Sequence, residues 1–217
     1  MTKYYPESGV ELNQFTAKHY DILLNMASFG RYQSFIQEAV KFMNIEPGDR
    51  ILDLGAGTGR NACLMMEYLS SEGKLIGMDV SQEMIGQFKK KCGGFPNSRI
   101  INARVDRVFP FKENFDKVFI SFLLHGFSQK VRESIIGNVY RILRKGGSFF
   151  ILDYNEFSYS KMPFYFKLFF KIIECPYAFD FIERDWKDIL CDKNFGSFRE
   201  KLFFRNYVRM LESRRNN

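Results

Sequence analysis

Two aspartates, three closely spaced glycines and one histidine are the residues of this 217-residue chain whose spacing could do chemistry. The stretch "RILDLGAGTGRNA", Arg50 to Ala62, places Asp53 just ahead of Gly55, Gly57 and Gly59, behind a short apolar run. Glycines there permit a tight turn with positive φ and let a ligand approach the backbone with no Cβ in the way. A helix beginning near Arg60 would add free N–H groups and the positive end of its dipole. Asp79 closes the next apolar run, a position from which a carboxylate can hydrogen-bond ribose hydroxyls. His125 follows a later run, "FDKVFISF", where an imidazole could act as a base near neutral pH; a histidine that only shapes the pocket is the alternative reading.

The glycine spacing discriminates between ligands. A dinucleotide fingerprint needs GxGxxG, its third glycine allowing close helix–strand packing. Here the glycines fall as GxGxG, and Arg60 stands where that third glycine belongs. With Asp53 ahead of the run, where a cationic amino-acid moiety would find a partner, the pattern favours S-adenosylmethionine over a nicotinamide cofactor.

The elements that must position these residues alternate from Asp49 to Asp153. Strands are expected at Arg50–Leu54, Lys74–Asp79, Arg99–Ala103, Phe115–Ser121 and Gly147–Tyr154, and helices at Arg60–Leu69, Gln82–Lys91 and Gln129–Leu143. Such alternation reads as an α/β sheet with mostly parallel central strands. Ser81 is the expected N-cap of the second helix, and Gly146-Gly147 the expected stop of the third. Ahead of the core, 14–25 and 32–43 read as helices, the second with an apolar face of Phe35, Ile36, Ala39, Val40 and Met43. Behind it come an aromatic-rich segment, 161–181, a helix at Arg184–Asp192, and strands Phe198–Phe203 and Tyr207–Leu211 around a turn at Arg205-Asn206.

With these residues in place, the chain resembles the class I S-adenosylmethionine-dependent methyltransferases. "LDLGAGTG" matches their first motif and "GMDVSQEMI" their acidic second motif; "FPFKENFDKVFISF" and "VYRILRKGGSFFILDY" continue the likeness over 45–154. "AKHYDILLNMASFG" and "ISFLLHG" are similar to segments of the ubiquinone/menaquinone-biosynthesis C-methyltransferases, although an arginine-asparagine pair of that group is replaced by His125-Gly126. The resemblance implies a Rossmann-like, seven-stranded, mostly parallel sheet with an antiparallel C-terminal hairpin, N-terminal helices and a helical cap between strands five and six. It divides a single domain into N-terminal helices (1–44), a cofactor-binding core (45–154), an acceptor cap (155–195) and a hairpin (196–217).

Carried over by position, Asp53, Gly55, Gly57, Thr58 and Gly59 would surround the methionine part and ribose, and Asp79 the ribose hydroxyls. Ser121 would lie at the sulfonium side. An adenine-contacting acid is expected five residues before Pro110; Val105 stands there and Asp106 follows, so Asp106 serves if the loop is one residue shorter. Tyr20 would line the acceptor pocket, unless it only packs between helices. Methyl transfer from a sulfonium needs alignment, water exclusion and, for some acceptors, removal of a proton, so no triad is required. His125 and Tyr20 are then the catalytic candidates.

Composition narrows the partners. The net charge is +7, with basic residues gathered at Lys89–Lys91, Arg99, Arg104 and Arg107. A solvated basic face is the ordinary explanation, and no specific nucleic-acid partner is expected. Neither signal-peptide pattern nor membrane-length apolar run is present in this sequence, which suits a cytoplasmic protein. The four cysteines, Cys63, Cys92, Cys175 and Cys191, form no CxxC pair and are expected to be reduced thiols; no metal site is expected. Rings at 162–173 with Lys167 and Lys171 suit a small apolar acceptor, quinone-like or lipid-like, and peripheral contact with a membrane. RNA methylation and a catalytically silent S-adenosylmethionine-binding protein are the alternatives.

Overall fold

The computed structural model describes residues 5, 32–111, 114–162, 164 and 175–216. The expected helix at 14–25, with Tyr20, and the rings and lysines of 165–173 lie outside these residues.

Strands β1 (Arg50–Leu54), β2 (Lys74–Asp79), β3 (Ser98–Asn102), β4 (Phe115–Ser121), β5 (Leu143–Tyr154), β6 (Phe195–Phe203) and β7 (Val208–Arg215) form one sheet in the order β3-β2-β1-β4-β5-β7-β6. β1 pairs in parallel with β2 and β4, β2 with β3, and β4 with β5. β7 runs antiparallel between β5 and β6, so the hairpin closes the sheet's edge.

Both faces of the sheet are covered, which is why the central strands are apolar rather than alternating. Leu52, Leu54, Val118, Ile120, Phe149 and Ile151 pack with Ile135, Ile136 and Val139 of α4 (Gln129–Ile142) and with Phe181 and Trp186. Phe181 belongs to α5 (Pro176–Ile182) and Trp186 opens α6 (Trp186–Cys191). On the other face, Ile51, Phe119 and Phe150 meet α1 (Tyr32–Phe42), α2 (Arg60–Met66) and Phe88 of α3 (Gln82–Cys92). Phe35, Ile36, Ala39, Val40 and Met43 are all buried, as their helical spacing requires.

The helix expected from Arg184 begins at Trp186, and the last two strands run longer than expected, β6 from Phe195 and β7 to Arg215. Three further expectations need correction. Gly146-Gly147 does not stop α4, which ends at Ile142; both glycines lie inside β5, which begins at Leu143. Gly147 is there because a Cβ would come within 2.9 Å of the Arg144 carbonyl and 3.0 Å of the Asp116 carbonyl. Cys63 and Cys92 are joined as a disulfide, with Cα atoms 5.6 Å apart, instead of standing as separate thiols. A 29-residue separation hides this pairing in the sequence, because only the packing of α2 on α3 brings the two together. The helix expected to run to Leu69 ends at Met66. Ser81, by contrast, caps α3 as expected, its side chain accepting from the Met84 N–H.

Strand order reverses between β1 and β4: from β1 the chain moves out through β2 and β3, then returns to the other side. Ligands of open α/β sheets bind outside the carboxyl ends of the strands at such a switch point. Asp53 and Leu54 end β1 there, and Ser121 ends β4.

Candidate active site

The glycine loop is pinned to β2. Gly55 and Ala56 N–H groups both donate to the Met78 carbonyl, at 2.8 and 2.9 Å. Asp79 accepts from Gly57 N–H at 2.9 Å with one oxygen and from Ser81 N–H at 2.9 Å with the other. Asp79 therefore ties the loop to the start of α3, a role the sequence alone did not give it. Gly57 has φ +54°, and a Cβ there would find only the Gly55 carbonyl within 4 Å, so its backbone is open to a ligand. Gly59 is different. With φ +82°, its Cβ would lie 2.8 Å from the Phe88 ring, so this glycine serves the packing of the loop on α3. Thr58 is buried and its hydroxyl accepts from Lys91 Nζ at 3.0 Å, which also anchors the loop to α3.

Around this loop several polar atoms are buried with no hydrogen-bond partner among the described residues: Asp53 Oδ2, Asn61 Oδ1 and Arg60 Nη1. Buried polar groups are ordinarily paired, and a cluster of exceptions calls for a ligand. Burial first, and the neighbouring Asp79 carboxylate second, push the Asp53 carboxyl up to about 8. A cationic group arriving beside Asp53 would relieve both effects. Arg60 offers the matching cation for a carboxylate; its Nη2 holds Gln33 at 3.1 Å and its guanidinium lies 4.6 Å from the Tyr32 ring. Asn61 donates to Ser121 Oγ at 3.5 Å, joining α2 to the end of β4. Arg60 and Asn61 were not singled out as ligand contacts from the sequence, though they follow the glycine run directly. The donor set fits S-adenosylmethionine: an acid for its ammonium, a cation for its carboxylate and open backbone at Gly57.

Asp106 stands beyond β3 and is held by two neighbours. Arg104 binds both its oxygens, at 2.9 and 2.8 Å, and Tyr5 donates to it at 3.2 Å. The Arg104 hydrogen bonds hold this carboxyl below its ordinary value. Val105, at the position expected for the adenine contact, is buried, with its N–H donating to the Tyr5 hydroxyl.

At the carboxyl ends of β4 and β5 the structure brings together a second group. Phe122 follows Ser121 with φ +47°, unusual for a bulky residue, while its N–H donates to the Leu152 carbonyl at 2.8 Å. The chain then makes a 3₁₀ turn, Leu124–Gly126, that carries His125. His125 Nδ1 lies 2.7 Å from Asp153 Oδ1, and its own N–H donates to Asp153 Oδ2 at 3.2 Å. Asp153 is 1% exposed, near the end of β5. With Nδ1–H donating to Asp153, the basic lone pair falls on Nε2. Aromatic rings continue outward: Tyr154 is 5.1 Å from the His125 ring and 6.3 Å from Phe122, and Phe35 is 6.2 Å from Phe122. The sequence pointed to His125 as a candidate base; it did not show that Asp153 bonds to it.

This strand order, with a glycine loop at its switch point, defines the fold of the class I methyltransferases. A solved structure of an S-adenosylmethionine-dependent methyltransferase from Aquifex aeolicus shares it at a TM-score of 0.69 and 18% identity, covering 94% of this chain and all of that one. The model of the ubiE/COQ5 methyltransferase family matches residues 7–188, and the chain belongs to that family. A demethylmenaquinone methyltransferase from Symbiobacterium thermophilum is 28% identical over 69% of this chain and 63% of its own length. A ubiquinone/menaquinone-biosynthesis C-methyltransferase from Francisella tularensis subsp. novicida is 28% identical over 70% and 66%. The chain thus spans slightly under two thirds of the length of these relatives.

Proposed function

We propose that the protein is an S-adenosylmethionine-dependent methyltransferase acting on a small, apolar, quinone-like acceptor that carries an ionisable hydroxyl. The observation that carries this reading is the His125–Asp153 pair on the same sheet edge as the unsatisfied Asp53 of the glycine loop. The named activities of the two relatives support the same class of acceptor.

When bound, the cofactor supplies a methyl group already activated on a sulfonium. Asp53 would hold the ammonium of its amino-acid part and Arg60 the carboxylate, while Asp79, which keeps the loop closed, would meet the ribose hydroxyls. Ser121 and Asn61 would face the sulfonium side. Asp153 fixes the His125 ring so that Nε2 takes the proton from the acceptor hydroxyl. Loss of that proton raises the electron density that attacks the methyl group, whether the attacking atom is the oxygen or an adjacent ring carbon. Tyr154, Phe122 and Phe35 would wall the acceptor's ring and keep water out.

We also propose peripheral membrane contact, because a long-tailed acceptor resides in lipid. Phe164, the described ring of 163–173, is 82% exposed. Among the described residues no helix is long and apolar enough to cross a membrane. Co-sedimentation with anionic vesicles tests the contact, and its loss on substituting Lys167 and Lys171 would assign it to that segment.

Turnover tests the main reading. Protein and methyl-labelled S-adenosylmethionine are incubated with hydroxylated ring acceptors, total lipid and total RNA. Label entering the ring acceptors or lipid supports it; label entering only RNA overturns it in favour of RNA methylation, and cofactor binding without turnover favours a silent binding protein.

A further inference from the structure

Arg132 lies on α4, is 0% exposed, and was not among the residues the sequence marked. Burying a guanidinium completely is costly unless each donor is paired and the charge is compensated. Here every nitrogen is used. Nε donates to the Leu124 carbonyl at 3.1 Å, and Nη2 to the His125 carbonyl at 3.1 Å and the Tyr177 carbonyl at 2.6 Å. Nη1 donates to Asp180 at 2.6 Å and to Gln129 at 3.5 Å. The guanidinium also lies 5.1 Å from the Phe181 ring and 5.7 Å from Trp186. One planar fork thus gathers two consecutive carbonyls of the turn bearing His125 and ties them to α5.

From this we infer that Arg132 is a positioning residue for His125: it clamps the Leu124–Gly126 turn and sets its buried positive charge behind the His125–Asp153 pair. The inference rests on the proposed role of His125 as base. His125 is then held from three sides, its ring and N–H by Asp153 and its carbonyl by Arg132. Lysine cannot replace this fork, because one ammonium cannot reach acceptors on both the turn and α5 in a plane.

The charge has a direction of effect. Asp153 favours an imidazolium electrostatically and a cation behind the pair opposes it, so the two charges act on the ring with opposite signs. Among the described residues, the charged and titratable groups around the turn are Asp153 and Tyr154 on β5, Arg132 on α4, Cys175 with its sulfur 4.0 Å from the His125 carbonyl, and Asp180 and Arg184 around α5. Of these, Arg132 and Asp180 can be altered with opposite expected signs.

The test is an NMR titration of the His125 imidazole in the cofactor-free protein, assigned by its absence from His125→Ala. Arg132→Met should move the midpoint to higher pH and Asp180→Asn to lower pH, each by about 0.5 pH unit or more. Asp180 is 42% exposed, and Asn there keeps a side-chain oxygen that can accept from Nη1, so this variant removes the charge while retaining the hydrogen bond. Steady-state assays with saturating cofactor should show kcat reduced about 10–100-fold in Arg132→Met and Arg132→Lys, with the cofactor Kd unchanged. In the His125→Ala background the same substitutions should cost nothing further. Unmoved midpoints in both variants, or an equal loss in both backgrounds, would overturn the positioning role while leaving His125 as base. Full activity of His125→Ala would overturn both.

Discussion

The two halves of the site are built in opposite ways. At the ends of β1 and β2 the protein leaves polar atoms unsatisfied: Asp53 Oδ2, Arg60 Nη1 and Asn61 Oδ1 are buried without a partner among the described residues. At the ends of β4 and β5 the protein satisfies them. Asp153 receives the His125 ring, the His125 N–H and the Tyr154 N–H, and Arg132 has a partner for every nitrogen. An open set of buried donors and acceptors describes a surface completed by its ligand. A closed set describes groups held in one geometry whether or not a ligand is present, as a base must be. On the proposed function, the first half would bind and the second would react.

That division is most strongly tested where the expected effect is largest. His125→Ala should lower kcat by about 10²–10⁴-fold while leaving cofactor affinity within a factor of two, read by single-turnover kinetics and calorimetry. Asp153→Asn should lower kcat by a smaller but clear factor, about 10–10³-fold, since an amide can still contact the ring but no longer stabilises the imidazolium. A comparable loss of cofactor affinity in either variant would show that the halves are not separate.

Next in size are the binding variants. Asp79→Ala removes the acceptor of two backbone N–H groups and should weaken cofactor binding by about 1–3 kcal/mol, with kcat at saturation little changed. Asp53→Asn should weaken binding and yet stabilise the ligand-free fold. The sign follows from its raised carboxyl: folded Asp53 releases its proton near pH 8, the unfolded residue near its ordinary 3.8. Its contribution to stability is thus fully present below about pH 3.8 and is lost as pH rises through 8. The stability gap between Asp53→Asn and the native chain should widen across that window, by up to about 1.4 kcal/mol per pH unit, in denaturant titrations. A gap that stays flat with pH would mean Asp53 is not held protonated.

The smallest expected effect concerns the basic surface. Any RNA retained at low salt should be released as salt rises, in filter-binding assays, because neutralised phosphates release counterions. Selective RNA binding that survives physiological salt would give the +7 net charge a function beyond solvation.

The same contrast explains what the sequence could show. The glycine loop is local: Asp53, Gly55, Gly57 and Gly59 fall within seven residues, and period and composition place the strand before them and the helix after them. β1, β2 and β4 match their expected bounds residue for residue. The half that carries His125 is assembled from distant segments. His125 and Asp153 are 28 apart, Arg132 and Asp180 are 48 apart, and only the pairing of β4 with β5 and the docking of α5 bring them together. No spacing rule joins a histidine in a turn to an aspartate ending the next strand. The disulfide was hidden for the same reason, and so was the second task of Gly59 against Phe88. Asp106 combines the two cases: its position by motif suggests a ligand contact, while only packing brings the distant Tyr5 to share it with the neighbouring Arg104.

The most direct measurement compares His125→Ala with the native protein at saturating S-adenosylmethionine and a hydroxylated ring acceptor, following methyl transfer in a single turnover alongside the cofactor Kd. A fall in the transfer rate of about 10²-fold or more at an unchanged Kd is the predicted result. An unchanged transfer rate, or a lost rate that tracks lost cofactor binding, would contradict the assignment of binding to one half of the site and proton removal to the other.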